Sequence, residues 1–334
     1  MWSINNHTPY KAGSSWDRDK DGVHEWIVAV KATYNIRPDG MVELSEEQLE
    51  TLLAPEYRAD EATSSLLYDA DIVAPKPTTD VLINGTAYAP NGKASNNFLV
   101  EARVGGIHKI IRVRGNRIWG QGIFDDAPSS SEPVTEVPII YERAYGGYDQ
   151  TYPDSTKQAI DMRNPVGLGV AFRPNHRAGQ ALPNFEYPSG RIEKADPAGF
   201  GALASHWSPR LELGGTYDEA WSASRKPLLP EDWDPRSLQC APVDQQTKAY
   251  LHGGETVELI NMTREGRLRF ELPKIHLTFT THIDGRKEEH RSRLSSVIIE
   301  PDFPRVIMVW TTALSCRTNP DYLDETHVRE KRYV

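Results

Sequence analysis

From Glu25 to Ile36 the chain reads EWIVAVKATYNI, apolar and polar positions alternating among β-branched and aromatic residues. A period of two in such residues predicts a β-strand with one buried face. Pro38-Asp39-Gly40 follows as a turn, and MVEL as a short partner strand. EEQLETLL, from Glu46 to Leu53, predicts the first helix, with Ser45 as its N-cap. From Asp69 the alternation returns in DADIVAPKP, TDVLINGTAYAP, NFLVEARVG, HKIIRVRG and NRIWGQGIF. These stretches are separated by Asn-Gly, Pro-Asn-Gly, Gly-Gly and Arg-Gly-Asn, tight-turn sequences that predict antiparallel hairpins. A second β block starts at Glu255 with ETVELINMT, RLRFELP, IHLTFTTHI, RSRLSSVIIEP and PRVIMVWTTALSC. Its strands place residues such as Leu268 and Phe270 on one face. The last stretch, NPDYLDETHVREKR, predicts a short exposed helix capped by Asn319, with Pro320 at its first position and Arg329, Lys331 and Arg332 near its end.

Between Tyr141 and Gln246 neither a period of two nor one of 3.6 persists. Gly, Pro, Asn and Trp are dense there, and the aromatic residues argue for an ordered, loop-rich layer packed on sheets. The expected fold is therefore mainly β: antiparallel sheets in one or two sandwich-like lobes, a loop-rich central layer and a few short helices. The segments divide as 1–140, 141–250 and 251–334, either as separate parts or as one continuous domain.

Composition narrows the function classes. A net charge of −9 argues against nucleic acid or an anionic membrane as partner and suits a partner with basic patches. No apolar run is long enough for a spanning helix or a secretory leader, which predicts a cytoplasmic protein without membrane insertion. The two cysteines, Cys240 and Cys316, are expected as free, buried thiols.

Candidate chemistry is sparse. No nucleophile elbow, phosphate loop or HExxH pattern occurs, and Gly167-Leu168-Gly169 lacks the third glycine of a dinucleotide loop. His276 and His282 share strand parity and His290 lies across the Asp284-Gly285 turn, so a three-histidine metal site is set against solvated strand histidines. In YERAYGGYD, Glu142 and Arg143 read either as a functional ion pair or as structural charges. Gly146-Gly147 reads either as a close backbone approach or as a turn.

The densest stretch is GGTYDEAWSASRKPLLPEDWD, from Gly214 to Asp234. Asp218, Glu219, Glu231, Asp232, Asp234 and, downstream, Asp244 offer paired carboxylates for glycoside cleavage, with Trp207, Trp221 and Trp233 to stack on sugar rings. The same residues also match a capping box, in which Thr216 caps a helix, Glu219 answers it, Arg225 and Lys226 complement the far end and Pro227 stops it. Both readings stand at this point.

Several stretches occur together in order: DIVAPKPTTDVLINGTAYAP, VPIIYERAYGGYD, RNPVGLGVAF, ALPNFEYP, the long block from GFGALASHWSPRLELGGTYDEAW to CAPVDQQ, and HGGETVELINMTREGRLRFELP. The chain thereby resembles a bacterial family of type VI secretion system accessory proteins, long carried as a domain of unknown function. The resemblance covers about Trp26 to Pro273. It implies a non-enzymatic adaptor or chaperone that binds a secreted effector and assists its loading onto the VgrG/PAAR spike; no cofactor and no metal are expected. A carbohydrate-active enzyme using the 214–244 acids, or a structural component of the secretion apparatus, are the alternatives. The family supplies no site residues. Trp207, Tyr217, Trp221 and Trp233 are the expected partner-binding anchors, because aromatic side chains dominate binding hot spots.

Overall fold

The computed structural model describes residues 2–120, 127–173, 176–189, 195–316 and 319–331. The fold is mainly β, as expected, and three sheets carry it. The central sheet orders Lys11–Arg18, His24–Ile36, Arg305–Cys316, Arg293–Glu300 and Asp80–Ile83, and Val42–Leu44 adds to His24–Ile36. Only Asp80–Ile83 runs parallel to its neighbour. The second sheet orders Phe185–Glu186, Ile107–Arg114, Asn97–Val104, Thr256–Ile260 and Arg267–Glu271, all antiparallel. The third joins the two ends of the chain: Ser3–Asn6 runs parallel to Leu323–Glu330, which pairs with Leu277–Ile283 and through it with Arg286–Arg291. Residues from both ends thus share two of the three sheets, and one hydrophobic core runs from Tyr10 to Val328.

The His24–Ile36 strand is buried on both faces rather than one. Trp26, Val28, Val30 and Ala32 enter the main core, while Ile27 and Ala29 pack against Ile72 in a smaller cluster. The polar positions on that second face, Lys31 and Thr33, are buried as well. A buried polar group must be paired, and the segment expected as the Glu46–Leu53 helix does the pairing. Gln48 exchanges hydrogen bonds with the backbone of Thr33 (2.9 and 2.8 Å), and Leu49 N–H donates to the Thr33 hydroxyl (3.2 Å). Leu52 N–H donates to Asp71, the partner of Lys31. With these groups drawn onto the sheet the segment lies without helical structure, and Ser45 caps nothing.

The DADIVAPKP stretch is likewise irregular; its acid Asp71 and its lysine Lys76 serve buried ion pairs with Lys31 and Asp80. Among its described residues NRIWGQGIF forms only isolated bridges, at Ile118 and Trp119, and its residues 121–124 lie outside the described residues. The expected C-terminal helix is a strand. Asn319 does cap a turn at Pro320–Tyr322, accepting from Asp321 N–H, but Leu323–Glu330 is then paired on both sides, with Leu323, Thr326 and Val328 buried. Pairing with two neighbours outweighs a local cap of modest energy. Arg332 lies outside the described residues.

The central segment forms the ordered layer expected of it. Tyr141, Ala144, Leu203, Trp207 and Cys240 pack on Leu82, Ile298 and Ile307 of the central sheet. Besides backbone–backbone bonds, two buried amides pair backbone carbonyls there: Asn164 donates to those of Tyr141 and Tyr145, and Gln245 to those of Phe200 and of Val81 on the central sheet. Gly146 is a point of close backbone approach, since a Cβ there would sit 2.2 Å from the Asn164 carbonyl oxygen. Glu142 binds Ser65 and Arg143 binds Asn184, so the two do not form an ion pair with each other. Both cysteines are free and buried, as expected.

Candidate functional site

Asp234 N–H donates to the Leu213 carbonyl (2.9 Å), closing the intervening chain into an excursion whose ends meet. Compact loops of this kind, packed by their own side chains, are frequent carriers of function. Thr216 ties the loop across its waist, its backbone N–H and hydroxyl reaching the two carboxylate oxygens of Asp232 (2.9 and 2.7 Å). Gly215, at φ +87°, makes this closure possible, for a Cβ there would lie 2.8 Å from Pro230.

A helix follows at Glu219–Ser224, but its cap is Asp218, which accepts from Trp221 N–H at 2.8 Å. The Thr216 capping box is therefore not formed: Asp232 holds the Thr216 hydroxyl, and the helix starts later in the chain at an equally good cap residue. Arg225 does not cap the far end through its side chain either. It donates to the carbonyls of Leu229 (2.8 Å) and Lys20 (2.6 Å), which fastens the excursion to the turn between Lys11–Arg18 and His24–Ile36.

The four expected aromatic anchors fall in two places. Tyr217 is 57% exposed and meets Trp221 edge to face, ring centroids 4.8 Å apart. Trp221 is half-buried, its indole N–H donating to the Leu228 carbonyl (2.8 Å), and Trp233 is also half-buried on the same excursion. Trp207 is a core residue instead, 1% exposed and edge to face with Tyr141 at 5.7 Å. It supports the layer beneath and presents no surface.

Three of the block's acids are engaged, while Glu219 and Glu231 are exposed. Asp218 caps the helix, Asp232 holds Thr216, and Asp234 holds its own loop by accepting from Arg236 (2.6 Å). The hydroxyl and backbone N–H of Thr216 keep Asp232 below the usual carboxylate range, and Arg236 does the same for Asp234. A general acid needs the opposite shift.

Asp244 belongs to a different site. It lines a cleft of about 840 Å³ in the central layer with Tyr141, Tyr187, Arg163, Asp196 and Leu203. Lys109 reaches Asp244 from below (2.8 Å), also donates to Gln245 (2.8 Å), and lies over the rings of Tyr187 and Phe200. Tyr187 donates to the other oxygen of Asp244 (3.0 Å). Burial lowers the Lys109 ammonium to about 8, against the opposing pull of Asp244. The Lys109 ammonium is itself buried, while Asp244 stands 41% exposed at the cleft, so the cluster anchors the layer to the second sheet. Lys109 has the parity of Ile107, Ile111 and Val113, all buried; a lysine on an apolar strand face is the signal that would have found it.

The three-histidine alternative is not formed. The hairpin register pairs Phe279 with His290 and Lys287 with His282, so His290 lies on the opposite face of the sheet from His282. His282 instead meets Glu325 and His327 of the neighbouring strand.

A model of an uncharacterized protein family conserved in bacteria (DUF2169) matches residues 21–311. The chain belongs to that family. No curated protein and no solved structure matches. Among the described residues no helix is long and apolar enough to cross a membrane.

Proposed function

We propose that this member of the DUF2169 family is a non-enzymatic adaptor that binds a type VI secretion effector and assists its loading onto the VgrG/PAAR spike. The link to type VI secretion rests on the resemblance of the sequence blocks, and family membership supplies the bacterial setting. The observation that carries the adaptor reading is the Leu213–Asp234 excursion. It is closed, capped and tied down, it has almost no core of its own, and it presents Tyr217 against Trp221 at the surface. Rigid aromatic residues of this kind give contact area at low entropic cost. Asp218, Asp232 and Asp234, three of the acids that would serve a glycosidase, are occupied as cap and tie, which favours the adaptor over the enzyme.

Strand addition is the lesser route to a partner. The Arg286–Arg291 strand lies at a sheet edge and is exposed along nearly all its length, but its sequence RKEEHR puts charges on both faces, the usual guard of an open edge.

The test is a tagged pull-down from the native bacterium read by mass spectrometry, with Tyr217→Ala and Trp221→Ala in parallel. Recovery of a neighbouring effector or spike protein, lost in the variants, is the expected result. Recovery unchanged in the variants moves the surface elsewhere. A folded, abundant bait that recovers no secretion component overturns the adaptor reading.

A further inference from the structure

Leu277–Ile283 and Leu323–Glu330 pair in a register that sets His282 opposite Glu325, with His327 two residues further along the same face. One ligand atom from each of His282, Glu325 and His327 lies within 4.8 Å of the other two. His327 Nε2 is 2.9 Å from Glu325 Oε1, and His282 Nδ1 is 3.7 Å from that oxygen. Donors on a tetrahedral ion with bonds of about 2.1 Å stand roughly 3.4 Å apart, so these three need only small side-chain adjustments to share one.

The surroundings are those of a supported site. Asn5, on the adjacent Ser3–Asn6 strand, donates to the other carboxylate oxygen of Glu325 and fixes its orientation. His7 Nε2 lies 3.1 Å from His327 Nδ1, and the two rings stack with centroids 5.4 Å apart. A metal at His327 Nε2 requires the imidazole proton on Nδ1, from where it donates to His7. This is the second-shell bond that ligating histidines commonly make. Lys287, opposite His282 on the outer strand, is paired with Glu289 at 3.0 Å.

We propose that His282, Glu325 and His327 bind a divalent late transition-metal ion of the zinc class, with Asn5 and His7 as supporting residues. Two imidazoles and one carboxylate suit zinc over calcium or magnesium, which prefer all-oxygen sites. The supporting residues come from the N-terminal strand and the ligands from the C-terminal part of the chain, so the ion would clasp the chain's two ends.

Untagged, chelator-stripped full-length protein titrated with Zn²⁺ in a calorimeter is the test, with Co²⁺ absorption reporting the coordination. The wild type is expected to bind one equivalent with a Kd in the micromolar range or below. His282→Asn and His327→Asn should each weaken it at least tenfold, and His7→Ala roughly tenfold or more. His290→Gln, on the other face, should bind as the wild type does. Zn²⁺ should also raise the melting temperature of the wild type and not of Glu325→Gln, provided circular dichroism finds the variant folded. Wild-type affinity no greater than that of a folded His282→Asn/His327→Asn double variant overturns the proposal.

Discussion

Lys31 Nζ and Asp71 Oδ2 meet at 2.8 Å inside the protein, the two side chains 2% and 6% exposed. Asp71 also accepts from Leu52 N–H at 2.9 Å, so one carboxylate holds both the sheet and the segment that crosses it. Removing one partner of a buried pair leaves the other charge uncompensated. Lys31→Met should destabilise the fold by about 3–5 kcal/mol, read as a fall in the denaturant midpoint with an unchanged slope. Adding Asp71→Asn, which keeps an acceptor for Leu52, should recover a large part of that loss. A double variant no more stable than Lys31→Met would assign the loss to packing instead of charge.

The cap at Asp218 acts on the excursion alone. Asp218→Ala removes the acceptor of Trp221 N–H, a change of about 1 kcal/mol at helix N-termini. The excursion lies outside the hydrophobic clusters, so global melting should barely move while amide exchange at Trp221 and Ser222 accelerates several-fold. Thr216→Ala, which loses the side-chain bond to Asp232, should speed exchange over the closing residues but leave the helix amides protected. Equal acceleration of the helix amides in both variants would return the cap to Thr216.

These contrasts mark what was legible in the sequence. Strands with clear alternation, such as Asn97–Val104 and Thr256–Ile260, read correctly because each has one buried face and a glycine turn nearby. Glu46–Leu53 misled because helical spacing is a local property, whereas its polar groups are claimed by Thr33 and Asp71, distant in sequence. Leu323–Glu330 misled for the same reason, since its partners are the N-terminal strand and a strand beginning at Leu277. In the excursion the capping chemistry was visible, but the choice between Thr216 and Asp218 depended on Asp232, which only the closed loop brings near. The Trp207 indole is indistinguishable in sequence from the Trp221 indole; the sheet beneath the layer decides that one is core.

That difference between the tryptophans is measurable. Trp207→Ala empties a site packed by Tyr141 and should cost about 3–5 kcal/mol, with loss of partner recovery following from loss of fold. Tyr217→Ala removes an exposed ring and should leave the melting temperature within a degree or two while abolishing recovery. If Tyr217→Ala destabilises as much as Trp207→Ala, the aromatic pair is part of the core and not a docking surface.

His290 gives the fold a defined response to acid. Its Nε2 meets the Thr281 hydroxyl at 2.6 Å and its Nδ1 the Thr312 hydroxyl at 3.1 Å, and burial lowers the imidazole to about 4 from its ordinary 6.5. Between those values the unfolded chain binds more protons than the folded one, so the free energy of unfolding rises with pH across the window. The stability is fully present above the unfolded value and is lost as pH falls towards 4, by an amount on the order of 3 kcal/mol. His290→Gln keeps hydrogen-bonding groups for the threonine hydroxyls but cannot titrate. Denaturant midpoints at pH 7 and pH 4.5 should therefore differ less in the variant than in the wild type, and parallel falls in the two proteins would place the acid sensitivity elsewhere.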